Sequence, residues 1–211
     1  MQSEHKYSSQ YYHHIENGYY PFSFLRDKVI IGFIKKLLPQ GKRILEVGCG
    51  TGKLLSQIEN DYETYGIDIS SFAITVAQSR ARATIFQVAS IEDKIFSPGS
   101  FDGIIAINVL EHLKNPKLAL ERIHQMLSPA GYLFLHLPIA SNAFSRLLQK
   151  YFYPDDSHVF IPSLKKLKTL LKDTNFSFIH ERSGTTIFLP VSFPLWLKFT
   201  PCYFGVYKKS T

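Results

Sequence analysis

The chain has 211 residues, of which 45% are hydrophobic and 19% are charged. This size and mixture describe one ordinary globular domain and exclude a disordered or fibrous chain. The net charge of +7 is uneven, because residues 1–135 carry 14 basic and 13 acidic residues while residues 136–211 carry 10 and 4. The basic end is either a solvated face or a surface for an acidic substrate or an anionic membrane. Because no recognised RNA or DNA module is present, we expect no nucleic-acid partner.

Cysteine usage and hydropathy give an expected location. The two cysteines, Cys49 and Cys202, do not form a disulfide framework and are consistent with a reducing cytoplasm. The N-terminal residues contain no apolar core typical of a signal peptide. Residues 185–206 are apolar, but three prolines and Lys198 interrupt them, which argues against a membrane-spanning helix. We therefore expect a cytoplasmic protein.

The first regular elements surround a glycine-rich turn. Apolar residues recur at three- and four-residue steps over residues 24–38, which predicts a helix that ends at Pro39-Gln40-Gly41. Residues 43–52 then read RILEVGCGTG. This order predicts a short buried strand, a glycine turn and a helix that starts near Lys53. The unpaired N–H groups of such a helix start face the crevice beside the strand, so we expect a polar ligand there.

Strands and helices alternate along most of the remaining chain, which predicts an α/β protein with a doubly wound sheet. The predicted strands after the first one cover residues 63–68, 84–88, 101–107, 132–137, 176–181 and 202–208. The predicted helices cover residues 71–82, the stretch from 116 to a turn at 128–131, and residues 162–171.

The glycine turn has three interpretations. A dinucleotide fold would show G-x-G-x-x-G, but Lys53 stands at the third glycine position, and Glu46 lies two residues before the first glycine. Both features disfavour an NAD-dependent oxidoreductase. The second interpretation is a tight turn that binds no ligand. It does not explain why Glu46 lies in an apolar strand, since a buried carboxylate needs a partner.

The third interpretation is a resemblance. The spacing E-x-G-x-G-x-G from Glu46 to Gly52 resembles motif I of the class I methyltransferases that use S-adenosylmethionine. The later stretches NVLEHL (residues 108–113) and LSPAGYLFLHLP (residues 127–138) resemble the same family, nearest to ubiquinone-biosynthesis O-methyltransferases. The resemblance covers residues 24–137 well and residues 158–208 loosely.

The family implies a Rossmann-like, doubly wound sheet of seven strands, mostly parallel with strand seven antiparallel, and helices on both faces. It implies one methyltransferase domain over residues 1–211. Within it we expect an N-terminal cap and helix (1–40), a cofactor-binding core (41–137), an insertion near the acceptor site (138–161), and a C-terminal helix with the last strands (162–211).

The resemblance also implies S-adenosylmethionine as cofactor and a set of contact residues. Glu46 would hold the cofactor's ammonium, and Asp68, if it is not a plain helix cap, would hold the ribose hydroxyls. Arg26, if it is not a solvated surface residue, would contact the carboxylate, and Cys49 is expected to be a small packed residue rather than a catalytic thiol. The full predicted set is Arg26, Glu46, Gly48, Cys49, Gly50, Asp68, Ile69, Ser90, Ile91 and Asn108.

The catalytic group is not identified by the sequence, although His158 and His112 are candidates for a general base. Alternatively, His158 is a loop histidine without a chemical role, and Glu111 and His112 serve in capping and packing. In some relatives E-x-x-E-H supplies metal ligands, but this chain has N-x-x-E-H and so lacks one carboxylate. We therefore expect no metal ion.

The expected function is methyl transfer to a small-molecule acceptor, lipid-like or quinone-like in view of the apolar segment 188–204. The segment either fills the core beside the sheet, or forms an apolar acceptor pocket or a lid with peripheral membrane contact. The alternatives are a non-catalytic or regulatory S-adenosylmethionine-binding protein, and a methyltransferase that acts on protein or RNA. The sequence does not predict an oligomeric state.

Overall fold

The computed structural model describes residues 11–12, 23–140, 158–183 and 202–210. These ranges contain four α-helices and seven strands. The helices are α1 (Ser23–Leu37), α2 (Ser71–Arg80), α3 (Pro116–Met126) and α4 (Leu164–Asp173). The strands are β1 (Arg43–Val47), β2 (Glu63–Asp68), β3 (Ile85–Val88), β4 (Phe101–Ile107), β5 (Leu127–Pro138), β6 (Phe176–Ser183) and β7 (Cys202–Lys209).

The seven strands form one sheet in the order β3-β2-β1-β4-β5-β7-β6. Strands β1 to β5 pair in parallel, whereas β7 runs antiparallel between β5 and β6. The predicted fold is therefore confirmed, including the antiparallel strand seven. The chain moves from β1 outward to β3 and then returns to β4 on the other side of β1. This reversal opens a crevice at the carboxyl ends of β1 and β4, where doubly wound sheets bind ligands.

Helices cover both faces of the sheet because side chains alternate along buried strands. On one face, α1, α2 and the segment after the glycine turn pack on residues such as Ile44, Ile105 and Phe134. On the other face, α3 and α4 pack on the neighbouring residues of the same strands, such as Leu45 and Ile104. The two cores hold the strand ends in fixed positions beneath the crevice.

The segment after the glycine turn differs from the predicted regular helix. It contains only a short 3₁₀ helix at Leu55–Gln57. The carbonyl of Lys53 accepts hydrogen bonds from the side chains of Ser56 and Gln57, both at 3.0 Å. The Gln57 N–H instead bonds the Leu54 carbonyl. These local side-chain bonds compete with the α-helical pattern, and this competition explains the difference.

Strand β5 also differs from its prediction, because it begins at Leu127 instead of residue 132. Leu127 already pairs with Phe101 of β4, and Ala130 takes a positive φ of 63°. The predicted turn at 128–131 is therefore an irregular part of the strand.

Two predicted segments lie partly outside the described residues. The ends of the 138–161 insertion are held by backbone hydrogen bonds, from Ala140 N–H to the Pro162 carbonyl and from Val159 N–H to the Glu111 carbonyl. Of the apolar segment 188–204, residues 202–204 belong to β7 and are buried; residues 188–201 lie outside the described ranges. Within those ranges, every helix is too short or too polar to reach across a bilayer.

Candidate functional site

A cavity of about 250 Å³ lies at the carboxyl ends of β1, β2 and β4. This volume is of the order of small-molecule pockets, roughly 300–1,000 Å³. All ten predicted cofactor contacts and His112 line it, although they come from α1, β1 and β2 and from the segments that follow β1, β2, β3 and β4. The sheet therefore brings together residues that span positions 26 to 112. Their role in binding a cofactor remains a prediction, since lining a cavity does not by itself show a contact.

The glycine turn shapes the floor of the cavity. Gly48 has a φ of +65°, and a Cβ atom there would lie 2.5 Å from Cγ2 of Val109. Only glycine therefore fits between β1 and the residues that follow β4. Cys49, next in the chain, is buried, and its N–H donates to the Ile67 carbonyl at 2.9 Å. Burial, with nearby Glu46 and Asp68, raises the pKa of the Cys49 thiol well above its ordinary value, which agrees with a packed residue and not with a reactive thiolate.

Glu46 lies at the bottom of the cavity and is 5% exposed. Its Oε2 atom accepts no hydrogen bond from the described residues. Burial and the nearby Asp27 raise the pKa of Glu46 well above its ordinary value, although the charge of Arg26 opposes this. A positively charged donor would satisfy the carboxylate and lower its pKa. Glu46 is thus suited to bind an ammonium group.

Arg26 lines the same cavity and is tied to its neighbour on α1. Its Nη2 and Nε atoms donate to Oδ1 of buried Asp27 at 2.8 and 3.0 Å. A guanidinium has five N–H donors, and Asp27 accepts from two of them, so three N–H groups of Arg26 do not donate to Asp27. The sequence-based alternative of a solvated surface arginine does not describe this side chain, which is 15% exposed.

Asp68 occupies the carboxyl end of β2, next to β1. Its Oδ2 atom accepts from the Gly50 N–H at 2.9 Å, and Oδ1 accepts from the Ser70 N–H at 2.9 Å and the Tyr12 hydroxyl at 3.2 Å. Burial raises the pKa of Asp68, while these donors stabilise the charged form. Burial and the Asp68 charge also raise the pKa of Tyr12, so its hydroxyl stays protonated and donates. The N-cap of α2 is Ser70, which rules out the plain N-cap role for Asp68.

Asn108 follows β4 in the left-handed region, with a φ of 53°. Its N–H donates to the His136 carbonyl at 2.8 Å, and its Oδ1 lies 2.8 Å from Nδ1 of the same histidine. With Oδ1 as acceptor, Nδ1 carries the imidazole proton. Burial and the charge of Arg26 lower the pKa of His136 well below its ordinary value, so the ring is neutral. This two-point link holds Asn108 at the edge of the cavity.

Ser90 and Ile91 line the cavity after β3, and Ile69 lines it after β2. The Ser90 N–H donates to Asp93 Oδ2 at 2.9 Å, and its Oγ accepts from the Glu92 N–H at 3.2 Å. The Ser90 backbone donor is therefore engaged within its own turn. The Ile91 side chain is buried beside it.

Glu111, His112 and His158 form a cluster that adjoins the cavity through His112. One potential ligand atom from each lies within 4.8 Å of the others, and the two imidazole centroids are 5.0 Å apart. The Val159 and Phe160 N–H groups both donate to the Glu111 carbonyl, at 2.8 and 2.9 Å, and so place His158 beside His112. Of the two histidines, His112 lines the cavity. The absence of a metal ion stays a prediction, because two imidazoles and a carboxylate can also ligate a divalent cation.

Several polar residues in or beside the cavity were not among the predicted contacts, and three of them form hydrogen bonds described above. Tyr12 belongs to an aromatic N-terminal stretch with no clear period, so nothing distinguished it from its neighbours. Asp27 lies in the helix predicted over residues 24–38, where a charged residue is expected on the exposed face, so the pattern did not indicate that it lines the cavity. His136 lies in an apolar strand, LFLHLP, where a lone histidine could have been noticed as a buried polar residue that needs a partner.

Comparison with known proteins gives the family. A family model described as a methyltransferase domain matches residues 22–181. O-methyltransferase cnsE of Penicillium expansum is 34% identical over 153 residues, which are 66% of this chain and 54% of that protein. Ubiquinone biosynthesis O-methyltransferase of Paracidovorax citrulli is 32% identical over 112 residues, 49% of this chain and 47% of that protein. The chain thus spans about half the length of these curated relatives.

The fold has a close counterpart among solved structures. An S-adenosylmethionine-dependent methyltransferase of Thermotoga maritima, described as a possible histamine N-methyltransferase, matches 95% of this chain and 97% of its own with a TM-score of 0.71. At 18% identity this likeness shows the fold alone. The family model, in contrast, matches well over half of the chain by sequence, and this chain therefore belongs to the class I methyltransferases, the family whose cofactor is S-adenosylmethionine.

Proposed function

We propose that this protein transfers a methyl group from S-adenosylmethionine to an oxygen atom of a small-molecule acceptor. The observation that carries the proposal is the pair of buried carboxylates, Glu46 and Asp68, at the ends of neighbouring strands on either side of the glycine turn. S-Adenosylmethionine presents an ammonium group at one end and a ribose diol near the other. Two acidic groups in one cavity match these two features.

The residues present fit this cofactor. Glu46 Oε2 is buried and accepts no hydrogen bond from the described part of the chain, so it suits the ammonium. A buried carboxylate without a donor is costly, and a ligand ammonium would remove that cost. Asp68 suits the ribose hydroxyls, with its carboxylate oriented by the Gly50 and Ser70 N–H groups. Arg26 is proposed for the cofactor's carboxylate and Asn108 for a polar contact beside it.

The cofactor supplies a methyl group on a positively charged sulfur that is a good leaving group. The protein then has to orient the acceptor oxygen in line with that methyl group and exclude water. The cavity walls near His112 suit this task, because Val109 and Leu113 line them. An O-methyl transfer also requires that the acceptor hydroxyl lose its proton.

We assign the proton transfer to the cluster of Glu111, His112 and His158. His112 lines the cavity and can accept the acceptor's hydroxyl proton at a ring nitrogen. The Glu111 carboxylate is fully buried, and one of its oxygens lies within 4.8 Å of a ring nitrogen of each histidine, so it is proposed to orient the imidazole ring of His112. His158 is proposed to position His112 across the 5.0 Å between the rings.

The proposal also specifies the class of small molecule that accepts the methyl group. We favour a phenol or quinol with an apolar tail. The apolar cavity walls and the name of the Paracidovorax relative support testing such acceptors first. Peripheral membrane contact through residues 188–201 belongs to the same proposal, since an apolar acceptor would be delivered from a lipid surface.

The test measures adenosylhomocysteine released from S-adenosylmethionine with a panel of acceptors. The panel contains catechols, hydroquinones, isoprenoid phenols, a histone-type peptide and a transfer RNA, each with and without a chelator. We expect turnover with a phenolic acceptor and no effect of the chelator. Cofactor binding without transfer to any acceptor would instead support a regulatory protein, and turnover with peptide or RNA alone would overturn the small-molecule acceptor. A turnover that the chelator abolishes would overturn the prediction of no metal ion.

Two variants test the base. We expect His112→Ala to lower turnover about 100-fold or more, on the scale of general-base catalysis, and His158→Ala to lower it less. Affinity for adenosylhomocysteine should stay unchanged in both. His124→Ala is the matched control, since His124 lies on α3 and contacts the Ser210 carbonyl, away from the cavity. Unchanged turnover of His112→Ala would remove the cluster from the mechanism.

A further inference from the structure

The carboxylate of Asp68 has most of its acceptor positions in use. Oδ1 accepts from the Ser70 N–H at 2.9 Å and the Tyr12 hydroxyl at 3.2 Å, and Oδ2 accepts from the Gly50 N–H at 2.9 Å. A carboxylate offers about four acceptor positions, so these three bonds leave at most about one, and the Ile69 N–H also stabilises the charged carboxylate. A ribose that donates from both hydroxyls requires two. One of the three existing donors must therefore leave for a two-hydroxyl contact to form.

The backbone donors are poor candidates for leaving. The Gly50 N–H belongs to the glycine turn, where Gly50 has a φ of +52°. The Ser70 N–H belongs to the N-cap residue of α2, whose Oγ accepts from the Ala73 N–H at 3.3 Å. Moving either group would disturb the β1 turn or the start of the helix. The Tyr12 hydroxyl is on a side chain, and its bond is the longest of the three.

The ring of Tyr12 lies over the glycine turn. A Cβ atom on Gly50 would lie 3.4 Å from Cε1 of Tyr12. Tyr11 contacts this ring edge-on with 5.3 Å between centroids, and Phe72 of α2 lies at 6.2 Å on another side. Tyr12 lines the cavity and is only 9% exposed. Its hydroxyl therefore competes for the carboxylate from inside the ligand site, and its ring covers the turn.

We infer that Tyr12 is a latch on the cofactor site: its hydroxyl bonds Asp68 until a ribose hydroxyl replaces it. This inference rests on the proposed function, because it requires an adenosyl ribose at Asp68. Each binding event then exchanges one hydrogen bond for another at the same oxygen. Tyr12 is thus a positioning residue that lowers cofactor affinity while it keeps the Asp68 carboxylate bonded and aligned.

The test is the affinity of the intact protein for adenosylhomocysteine, measured by titration calorimetry for the wild type and Tyr12→Phe. Phenylalanine keeps the ring over the glycine turn and removes the competing donor. We expect Tyr12→Phe to bind about two- to tenfold more tightly, the scale of one net hydrogen bond. Tyr62→Phe is the matched control, because it removes a hydroxyl that donates to the Leu38 carbonyl away from the cavity. Its affinity should not change.

Deoxy analogues identify the mechanism. The 2′-deoxy and 3′-deoxy forms of adenosylhomocysteine each lack one hydroxyl that could replace Tyr12. We expect the affinity lost on removing one of these hydroxyls to be larger in Tyr12→Phe than in the wild type, since the wild type can keep the tyrosine bond instead. Equal or weaker binding of adenosylhomocysteine by folded Tyr12→Phe would overturn the latch. So would an affinity loss that is the same in the wild type and in Tyr12→Phe for each of the two deoxy analogues. If neither protein binds adenosylhomocysteine at all while both are folded, the proposed function fails together with the latch.

Discussion

Replacement of Glu46 by glutamine should change the stability of the folded protein and its affinity for the cofactor in opposite directions. The side chain is 5% exposed, and its Oε2 atom accepts no hydrogen bond from the described residues. Burial and the nearby Asp27 raise the pKa of Glu46 well above its ordinary value. At pH values between the ordinary value and this raised one, the folded state holds a proton that the unfolded state has released. Stability therefore falls as pH rises through this window.

Glutamine cannot titrate and has nearly the same shape, so Glu46→Gln should remove that loss. We expect the ligand-free variant to be about 0.5–2 kcal/mol more stable than the wild type at pH 8, the scale of gains at strained functional positions. The gain should shrink as pH approaches about 4.3, below which the wild-type carboxyl is mostly protonated in the unfolded state as well. Urea unfolding at pH 5 and pH 8 measures both values.

Cofactor binding should change in the opposite direction. A hydrogen bond to a charged group contributes about 1.5–3 kcal/mol, so Glu46→Gln should bind adenosylhomocysteine about 10- to 150-fold more weakly. Glu63→Gln is the matched control, because the Glu63 side chain is 62% exposed at the start of β2. It should change neither quantity measurably. A Glu46→Gln protein that is less stable and binds with unchanged affinity would refute the assignment and make Glu46 a structural residue.

Three further predictions concern the neighbouring residues. Asp68→Ala should weaken adenosylhomocysteine binding by about 1–3 kcal/mol, and unchanged affinity in calorimetry would remove Asp68 from the ribose contact. Gly48→Ala should lower the free energy of unfolding by about 1–3 kcal/mol more than Gly41→Ala. Both glycines have positive φ, but only at Gly48 would the new Cβ meet a neighbour, Val109 at 2.5 Å; equal losses in urea unfolding would contradict this packing. The lowered pKa of His136 means that its contribution to stability is lost as pH falls below about 6.5, by up to about 1.4 kcal/mol per pH unit. Unfolding at pH 7 and pH 5 should show a smaller pH dependence in His136→Gln, and an equal dependence would show that His136 is not the cause.

The doubly wound sheet with its antiparallel strand seven, and the place of the ligand cavity, could be predicted from the sequence. The run RILEVGCGTG encodes a buried strand, a turn that only glycine can make, and a carboxylate next to both. Such local features depend on a few adjacent residues, so they can be recognised without knowledge of the tertiary structure. The same holds for Asp68, because the residue at the carboxyl end of β2 lies beside the turn in any doubly wound sheet.

The regular helix predicted after the glycine turn was wrong for a reason that periodicity does not record. The side chains of Ser56 and Gln57 bond the Lys53 carbonyl and compete with the helical pattern. A hydrophobic pattern describes which side chains are buried, but it does not say which donors reach a given carbonyl.

The chain by itself therefore determined the family, the doubly wound sheet and the two acidic strand ends, because each follows from residues that are close in sequence. Only the tertiary structure placed Tyr12 on Asp68, His136 against Asn108, and His158 beside His112. The partners in these pairs are separated by 28 to 56 residues along the chain. Contacts of this kind depend on how the packed sheet orients its loops, and no local pattern of residue types encodes that orientation.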